Sequence, residues 1–299
     1  MKFITNKMPD GRKFSRRDFL QLLKTGAFNL ALLAASGVGY GLLFEPGEVK
    51  IETVRLKLSR LSPSFAGIRL AQISDIHIGG WMNAERLRHV VDLIVAQKPD
   101  SLLITGDFLI GHGFDENAKQ AIQDLIDILS PLAKSMPSFA ILGNHDYWTD
   151  AKAVREMLRL CKIADLTNAV FTLRRGGEKL HLCGLDDIWE GDIRLNDVLD
   201  QLPNDGAAIL LAHEPDFADI SANTGRFDLQ VSGHSHGGQV VIPLYGPPVL
   251  PYLGQKYPSG LYKIEDMYQY TNRGVGVGKL PIRINCPPEI TVFVLEGNR

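Results

Sequence analysis

The sequence predicts an α/β protein in which two β-sheets pack face to face and helices cover their outer surfaces. Two patterns along the 299 residues support this prediction. In the first half, short apolar runs alternate with stretches whose apolar residues recur at the helical period, as in β-α-β units. From about residue 169 onward, short strand-like runs dominate and few helical stretches interrupt them. Parallel units followed by a strand-rich half indicate two packed sheets.

Strands and helices alternate in the first half of the chain. Strands are predicted at 49–58, 68–73, 102–104 and 139–142. Helices are predicted to begin near Asn83 and Asp115 and to occupy about 150–160. Asn83 is a good N-cap because its side chain accepts a hydrogen bond from the first helical turn, and Pro99 ends that helix.

The second half is predicted to be mostly strands. They are expected at 170–173, 180–183, 207–212, 229–231, 240–242, 261–264, 268–271 and 290–295. Helices are expected near 192–201 and 216–223. His181 alternates with two apolar neighbours, which predicts that its side chain faces solvent.

Length, charge and cysteine content narrow the class of protein. With 45% hydrophobic residues, the chain can form one large domain at 46–299 after a distinct segment at 1–45. Residues 1–24 carry seven basic and two acidic side chains, whereas the rest carries 25 basic and 32 acidic ones. A domain this acidic is a poor partner for nucleic acid. Its three cysteines are odd in number and widely spaced, which predicts buried thiols and no disulfide framework.

The N-terminal segment has the features of an export signal. Ser15-Arg16-Arg17-Asp18-Phe19-Leu20 precedes an apolar stretch at 27–44, a pattern that resembles a twin-arginine signal. The alternative is a membrane anchor with a basic flank, since about 18 residues are just enough to cross a bilayer. No clear Ala-x-Ala cleavage site follows, so a cleaved signal and a retained anchor both stay open. Either interpretation predicts a bacterial envelope protein that uses the twin-arginine machinery or the membrane.

Five polar clusters carry the chemistry of this chain. They lie at 75–77, 106–107, 143–146, 213 and 233–236, and each follows an apolar, strand-like run. They contain aspartates, an asparagine and five of the eight histidines, but no cysteine. Oxygen and imidazole donors without thiolates suit two borderline divalent ions and not a structural zinc site. Because they recur at the ends of strands, these donors are expected to meet at one rim of a sheet.

The order of these clusters resembles that of the calcineurin-like metallophosphoesterases, whose motifs run D-x-H, G-D, G-N-H-[DE], H and G-H-x-H. The resemblance covers about residues 66–295. The twin-arginine start, 233–239 and 271–276 further resemble exported bacterial phosphodiesterases of the YaeI/YkuE type. The resemblance to this family implies a four-layer α/β/β/α sandwich of two mixed sheets flanked by helices.

The resemblance also implies roles for individual residues. One divalent ion (Mn²⁺, Zn²⁺ or Fe²⁺) would be bound by Asp75, His77 and His236, and a second by Asn144, His213 and His234, with Asp107 between them. A hydroxide that bridges the ions would attack phosphorus. The same resemblance implies that His145 protonates the leaving alkoxide and that Asp146 orients His145.

Three further positions bear on the substrate. Arg273 is a candidate phosphate contact, with a surface salt bridge as the alternative, and His112 is a candidate substrate contact, with a solvated loop as the alternative. Ile110 stands where the family often has the last aspartate of G-D-x-x-D, which predicts a different network around the metals.

The segment 243–260 is rich in proline, tyrosine and apolar residues and follows the last predicted ligand. It predicts either an apolar rim that favours a lipid-linked phosphate or a surface loop packed on its own domain. Three functions remain open at this stage. They are a phosphodiesterase of the cell envelope, a pyrophosphatase of a nucleotide-linked lipid of the UDP-diacylglucosamine type, and a non-catalytic metal-binding scaffold.

Overall fold

A computed structural model describes residues 15–111, 113–278 and 280–297. The strands are β1 (Lys50–Lys57), β2 (Arg69–Ile73), β3 (Ser101–Thr105), β4 (Ser138–Ile141), β5 (Ala164–Asp165), β6 (Ala169–Arg175), β7 (Glu178–Gly184), β8 (Ala207–Leu211), β9 (Leu229–Ser232), β10 (Gly260–Ile264), β11 (Met267–Thr271) and β12 (Glu289–Glu296). The helices are α1 (Arg16–Leu43), α2 (Ala84–Ala96), α3 (Glu116–Ser135), α4 (Asn144–Thr149), α5 (Ala151–Cys161), α6 (Leu195–Gln201) and α7 (Ala218–Asn223).

The strands form two six-stranded mixed sheets. The first has the order β1-β12-β2-β3-β4-β5, and the second has the order β10-β11-β9-β8-β7-β6. In the first sheet β2, β3, β4 and β5 run parallel, and β12 runs antiparallel to β2. In the second sheet β7, β8, β9 and β11 run parallel, and the edge strands β6 and β10 are antiparallel to their neighbours.

Three apolar clusters define four layers. One joins the first sheet to α2, α3 and α5, and another joins the second sheet to α6 and α7. The third lies between the sheets and includes Leu103 and Phe139 from the first sheet and Ile209 and Val231 from the second. The predicted sandwich of two sheets flanked by helices is therefore confirmed, with burial of apolar side chains between layers as its main stabilising term.

Several helix starts lie where their capping residues predict. Asn83 accepts a hydrogen bond from the backbone N–H of Arg86, and Asp115 accepts one from Ala118. These bonds satisfy N–H groups that have no partner within the first helical turn. Pro131 lies inside α3, which nevertheless continues to Ser135.

Two sequence-based predictions about local structure are wrong, and one short strand was missed. Residues 240–242 form only isolated bridges to Ile284 and Gly246, and the short β5 was not predicted. His181 is fully buried and does not face solvent. Its burial is tolerated because both ring nitrogens have polar partners, the Thr172 hydroxyl and the Asp205 carbonyl. The cysteine prediction is confirmed, since all three thiols are buried and unpaired in disulfides.

The N-terminal helix is exposed over most of its described length. Ser15 caps α1 in a reciprocal arrangement with Asp18, so the helix begins directly at Arg16-Arg17. Its large apolar side chains are mostly exposed, among them Phe19, Leu23, Phe28 and Leu32. Within the described ranges, no helix combines the length and the apolar character needed to cross a membrane.

Candidate metal centre

The five polar clusters meet at one end of the sandwich. They occupy the loops that follow β2, β3 and β4 in the first sheet and β8 and β9 in the second. These strands are parallel within each sheet, so their carboxyl ends lie on one side. The structure thus brings together all seven side chains predicted as metal ligands.

The first group contains Asp75, His77 and His236. Asp75 Oδ1 lies 3.3 Å from His236 Nε2 and 3.9 Å from His77 Nε2. The two histidine Nε2 atoms are 2.9 Å apart, and their rings stack nearly parallel. Donor atoms of these three residues all lie within 4.8 Å of one another, close enough to hold one metal ion.

The second group contains Asn144, His213 and His234. The amide oxygen of Asn144 lies 3.0 Å from His234 Nδ1, and the rings of His213 and His234 have centroids 5.0 Å apart. Asp107 lies between the two groups. Its Oδ2 is 3.5 Å from His77 Nε2 and 3.3 Å from His213 Nε2. A carboxylate in this position has lone pairs for an ion on each side.

Backbone carbonyls fix which ring nitrogen of each histidine faces the site. His77 Nδ1 is 3.2 Å from the Leu109 carbonyl, His213 Nδ1 is 2.6 Å from that of Thr105, and His234 Nε2 is 2.7 Å from that of Tyr252. A carbonyl only accepts hydrogen bonds, so the nitrogen that faces it carries the proton. In the neutral rings of His77 and His234 the opposite nitrogen keeps its lone pair directed into the site, as in metal-binding histidines generally. Burial lowers the pKa of His213, but the Asp107 carboxylate outweighs burial and holds that pKa well above its usual value, so His213 would lose its Nε2 proton on binding a metal ion.

This protonation pattern reveals the need for a cation. Burial lowers the pKa of His234, and the nearby His213 lowers it further, so the His234 ring is neutral. Its Nδ1 lone pair then points at the Asn144 Oδ1 atom, which also carries lone pairs, with no proton between them. Two acceptors at 3.0 Å repel each other unless a cation lies within reach of both. The donor set therefore fits a divalent metal.

The protonation states of the two histidines in the first group agree with metal binding. Burial lowers the pKa of His77 to about 3, and burial together with His77 lowers that of His236 well below its usual value. Both rings are therefore neutral, the form that ligates metals. Burial raises the pKa of Asp107, but the neighbouring His213 outweighs it and the pKa lies well below the usual value. Asp107 is thus ionised, and its negative charge favours the binding of a cation beside it.

The backbone of the site is strained where the ligands lie. Five of the seven candidate ligands have positive φ angles, between 50° and 67°: Asp75, His77, Asp107, His234 and His236. Non-glycine residues rarely adopt this conformation, and such residues concentrate at functional sites. Gly143 is required for a different reason, since a Cβ there would collide with the Asp107 carboxylate and lie 2.7 Å from the His213 ring.

His145 lies at the edge of this site and is partly exposed. Its Nδ1 is 3.2 Å from the carbonyl of Ile110, the residue that replaces the family's second aspartate. The rings of His145 and His77 are in edge contact with centroids 4.6 Å apart. A ring nitrogen of His145 also lies within 4.8 Å of donor atoms of His77 and Asp107. It is therefore close enough to the ions' positions to act on a bound substrate.

The structure gives Asp146 a different role from the predicted one. Its carboxylate is buried and accepts hydrogen bonds from four backbone N–H groups, those of Asp107, Phe108, Leu109 and Gly143. His145 turns its Nδ1 to a carbonyl instead. Asp146 does not orient His145, because both of its oxygens are engaged in holding the Asp107 loop against the Gly143 turn.

Replacing Asp146 by alanine is expected to lower the free energy of unfolding by ~3 kcal/mol, because four buried N–H groups lose their acceptor. Metal affinity should fall as well, since the Asp107 loop loses its anchor. Urea unfolding and metal titration check both effects. Asp200→Asn, a change of an exposed aspartate on α6, is the control. Unchanged stability in Asp146→Ala would contradict this role.

The two candidate substrate contacts have different outcomes. The guanidinium of Arg273 pairs with Glu52 and Glu289, each at 2.9 Å, and donates to the Pro287 carbonyl. The structure therefore favours the salt-bridge alternative, because these partners occupy the edge formed by Nε and Nη2, which a phosphate would use for a two-point contact. His112 lies outside the described residues.

Two tryptophans at the site were missed by sequence reasoning. Trp148 follows His145 on α4, and Trp189 lies in the turn at 187–191. Both line a cavity of about 580 Å³ that opens beside Asp107, Asn144 and His145. The only sequence feature that could have indicated Trp148 is its position three residues after His145. No sequence feature indicates Trp189.

A sandwich of this topology, with carboxylate, amide and imidazole donors gathered at its strand ends, defines the protein as a metal-dependent phosphoester hydrolase. The chain belongs to the calcineurin-like phosphoesterase family, whose sequence profile matches residues 68–238. It is 33% identical over 295 residues to the uncharacterized metallophosphoesterase YkuE of Bacillus subtilis, covering 96% of this chain and 99% of YkuE. It is 31% identical over 285 residues to the phosphodiesterase YaeI of Escherichia coli, covering 94% and 99%.

Among solved structures, the chain is similar to the sulfate thiohydrolase SoxB of Thermus thermophilus in complex with glycerol. The similarity has a TM-score of 0.47 and 12% sequence identity, and it covers 72% of this chain and 53% of SoxB.

Proposed function

We propose that this protein is a phosphodiesterase that binds two divalent metal ions (Mn²⁺, Zn²⁺ or Fe²⁺) through its seven clustered side chains. The observation that carries the proposal is the facing pair of lone pairs on Asn144 Oδ1 and His234 Nδ1, next to a second, separate group of donors. Asp107 stands between the groups with Oδ2 within 3.5 Å of a histidine from each. Similarity to a named phosphodiesterase supports the diester as substrate.

The charges of the proposed ligands and ions suit hydrolysis of an anionic substrate. When bound, two divalent ions supply positive charge to the phosphoryl oxygens and lower the pKa of a water molecule toward neutrality. Asp75 and Asp107 hold that positive charge in place, and the neutral Asn144 and histidines add no further negative charge. The site stays positive overall and attracts an anionic phosphodiester.

His145 is the residue proposed to protonate the leaving oxygen. The Ile110 carbonyl holds Nδ1 and so orients the ring, and Nε2 is the nitrogen that transfers the proton. The partial exposure of His145 lets it regain that proton from solvent. The leaving alcohol must therefore lie on the His145 side of the site.

Chelation tests the metal requirement directly. Purified protein supplied with Mn²⁺ is expected to hydrolyse bis(p-nitrophenyl) phosphate faster than p-nitrophenyl phosphate. Treatment with EDTA should lower the rate of hydrolysis at least ~10²-fold, because the ions supply most of the charge stabilisation of the transition state. Returning Mn²⁺ should restore it. Activity that EDTA leaves unchanged would rule out this mechanism.

We further propose that the protein acts at the bacterial envelope, after twin-arginine export, on a phosphodiester that is lipid-linked. The motif at 15–20 and the exposed apolar side chains of α1 support the location. The exposed Val249, which lines the cavity at the site, and the exposed Leu244 and Tyr245 of the same segment support the substrate. Export can be tested by fusing a reporter after residue 45. A reporter that stays inside wild-type cells and tat mutants alike would contradict export.

A further inference from the structure

An aromatic wall extends from the proposed proton donor. The rings of His145 and Trp148 have centroids 4.7 Å apart, and those of Trp148 and Trp189 are 5.3 Å apart and nearly perpendicular. Trp189 in turn contacts Tyr252 and His234, with centroids 5.6 Å and 6.0 Å away. A continuous aromatic surface therefore begins at His145, where the leaving oxygen must lie, and runs along the cavity past Trp148 and Trp189 as far as His234.

The wall is held in place from behind by buried carboxylates. Asp187 Oδ1 accepts hydrogen bonds from the N–H groups of Trp189 and Glu190, and Glu214 Oε2 accepts one from Ile188. Asp187 and Glu214 are both fully buried. Trp148 Nε1 donates a hydrogen bond to the side chain of Glu190, the residue after Trp189, and so ties the two tryptophans together. Trp189 is nonetheless 40% exposed. A large apolar ring fixed in an exposed position is available to a ligand.

Part of the cavity lining is aliphatic. Val249, Leu250 and Pro251 line the same space of about 580 Å³ as the two tryptophans. Among the described residues that line this cavity, none is lysine or arginine. A leaving group that carries further phosphates would find no cationic partner on these residues. Because the two indoles are nearly perpendicular, a flat ring could stack on only one of them, whereas a flexible alkyl chain can contact both.

We propose that Trp148 and Trp189 bind an alkyl group on the leaving alcohol, so that the enzyme selects phosphodiesters whose leaving alcohol is a long-chain, lipid-like one. This inference rests on the proposed phosphodiesterase function, which places the leaving oxygen beside His145. Phosphorus gains a water-derived oxygen, the bond to the leaving oxygen breaks, and His145 gives that oxygen its proton. The two tryptophans contact only the alkyl part, so they determine specificity and leave the chemistry to the other residues.

Octyl methyl phosphate tests the inference by internal competition. Either alcohol can leave, and their leaving oxygens have similar chemistry. Each buried methylene favours binding about fourfold, so even partial contact should release octanol over methanol by at least ~10-fold. In Trp148→Ala/Trp189→Ala the two alcohols should leave at rates within about threefold of each other. Trp81→Ala, which changes a tryptophan outside this cavity, is the matched control and should keep the preference.

A binding measurement separates this inference from the reaction itself. Octylphosphonate cannot be hydrolysed, and it should inhibit or bind the Mn²⁺-loaded protein at least ~10-fold more tightly than methylphosphonate. Phenylphosphonate distinguishes an aryl from an alkyl ligand and should bind more weakly than octylphosphonate. Circular dichroism confirms that the variants fold.

Equal release of both alcohols by the wild type, or a preference that survives in the double variant, would overturn the inference. Stronger binding of phenylphosphonate than of octylphosphonate would also overturn it in favour of an aryl leaving group. If no alcohol is released but octylphosphonate binds preferentially through the tryptophans, the phosphodiesterase proposal fails and the alkyl-binding wall stands. If bis(p-nitrophenyl) phosphate is cleaved without any alkyl preference, the wall fails alone.

Discussion

Replacing Asp107 by asparagine is expected to lower kcat for bis(p-nitrophenyl) phosphate by at least ~10²- to 10³-fold. Its Oδ2 lies 3.5 Å from the Nε2 atom of His77 in the first donor group and 3.3 Å from that of His213 in the second. An amide oxygen at this position is neutral, so two adjacent dications would repel each other without compensation. The bound metal should fall from two ions to one per chain. Steady-state kinetics and elemental analysis of the purified protein measure both quantities.

Asp200→Asn provides the control for this substitution. It removes the same charge from an exposed position on α6, so kcat and metal content should match those of the wild type. An Asp107→Asn protein that keeps both ions and kcat within threefold of the wild type would show that the carboxylate does not join two metals.

Replacing His145 by alanine should produce a loss that depends on the leaving group. For a diester with an alkyl leaving group, kcat should fall by ~10²- to 10⁴-fold, the usual contribution of a general acid. For bis(p-nitrophenyl) phosphate the loss should be much smaller, because p-nitrophenolate is a stable anion that needs no proton in order to leave. Kinetics with the two substrates on one preparation measure the difference.

His89→Ala is the matched control, since His89 is exposed on α2 and lies outside the candidate site. The metal content of His145→Ala should equal that of the wild type. An equal loss for both leaving groups, together with a missing metal ion, would instead make His145 a metal ligand. Its ring nitrogen is close enough to His77 and Asp107 for that alternative to be tested seriously.

The clustering of the candidate ligands could be predicted from sequence because each motif follows a strand. Apolar runs locate the strands, and parallel strands bring their ends together, so residues as distant as Asp75 and His236 become neighbours. The helix starts at Asn83 and Asp115 could also be predicted, since a capping side chain acts on N–H groups within one turn of itself in the sequence.

Features that depend on tertiary contacts could not be predicted in this way. Asp146 is adjacent to His145 in sequence, yet its partners are N–H groups of the Asp107 loop, 37 to 39 residues away. Trp148 and Trp189 meet only because the turn at 187–191 is fastened by buried carboxylates. Arg273 finds Glu52 more than 200 residues earlier, a pairing that no local pattern indicates.

Anomalous diffraction from crystals of the Mn²⁺-loaded protein tests the central claim most directly. Two peaks are expected, one within reach of Asp75, His77 and His236 and the other within reach of Asn144, His213 and His234. They should lie ~3.5–4 Å apart, with the Asp107 carboxylate contacting both. The absence of a peak at these side chains, or a single ion bound without Asp107, would contradict a dinuclear centre.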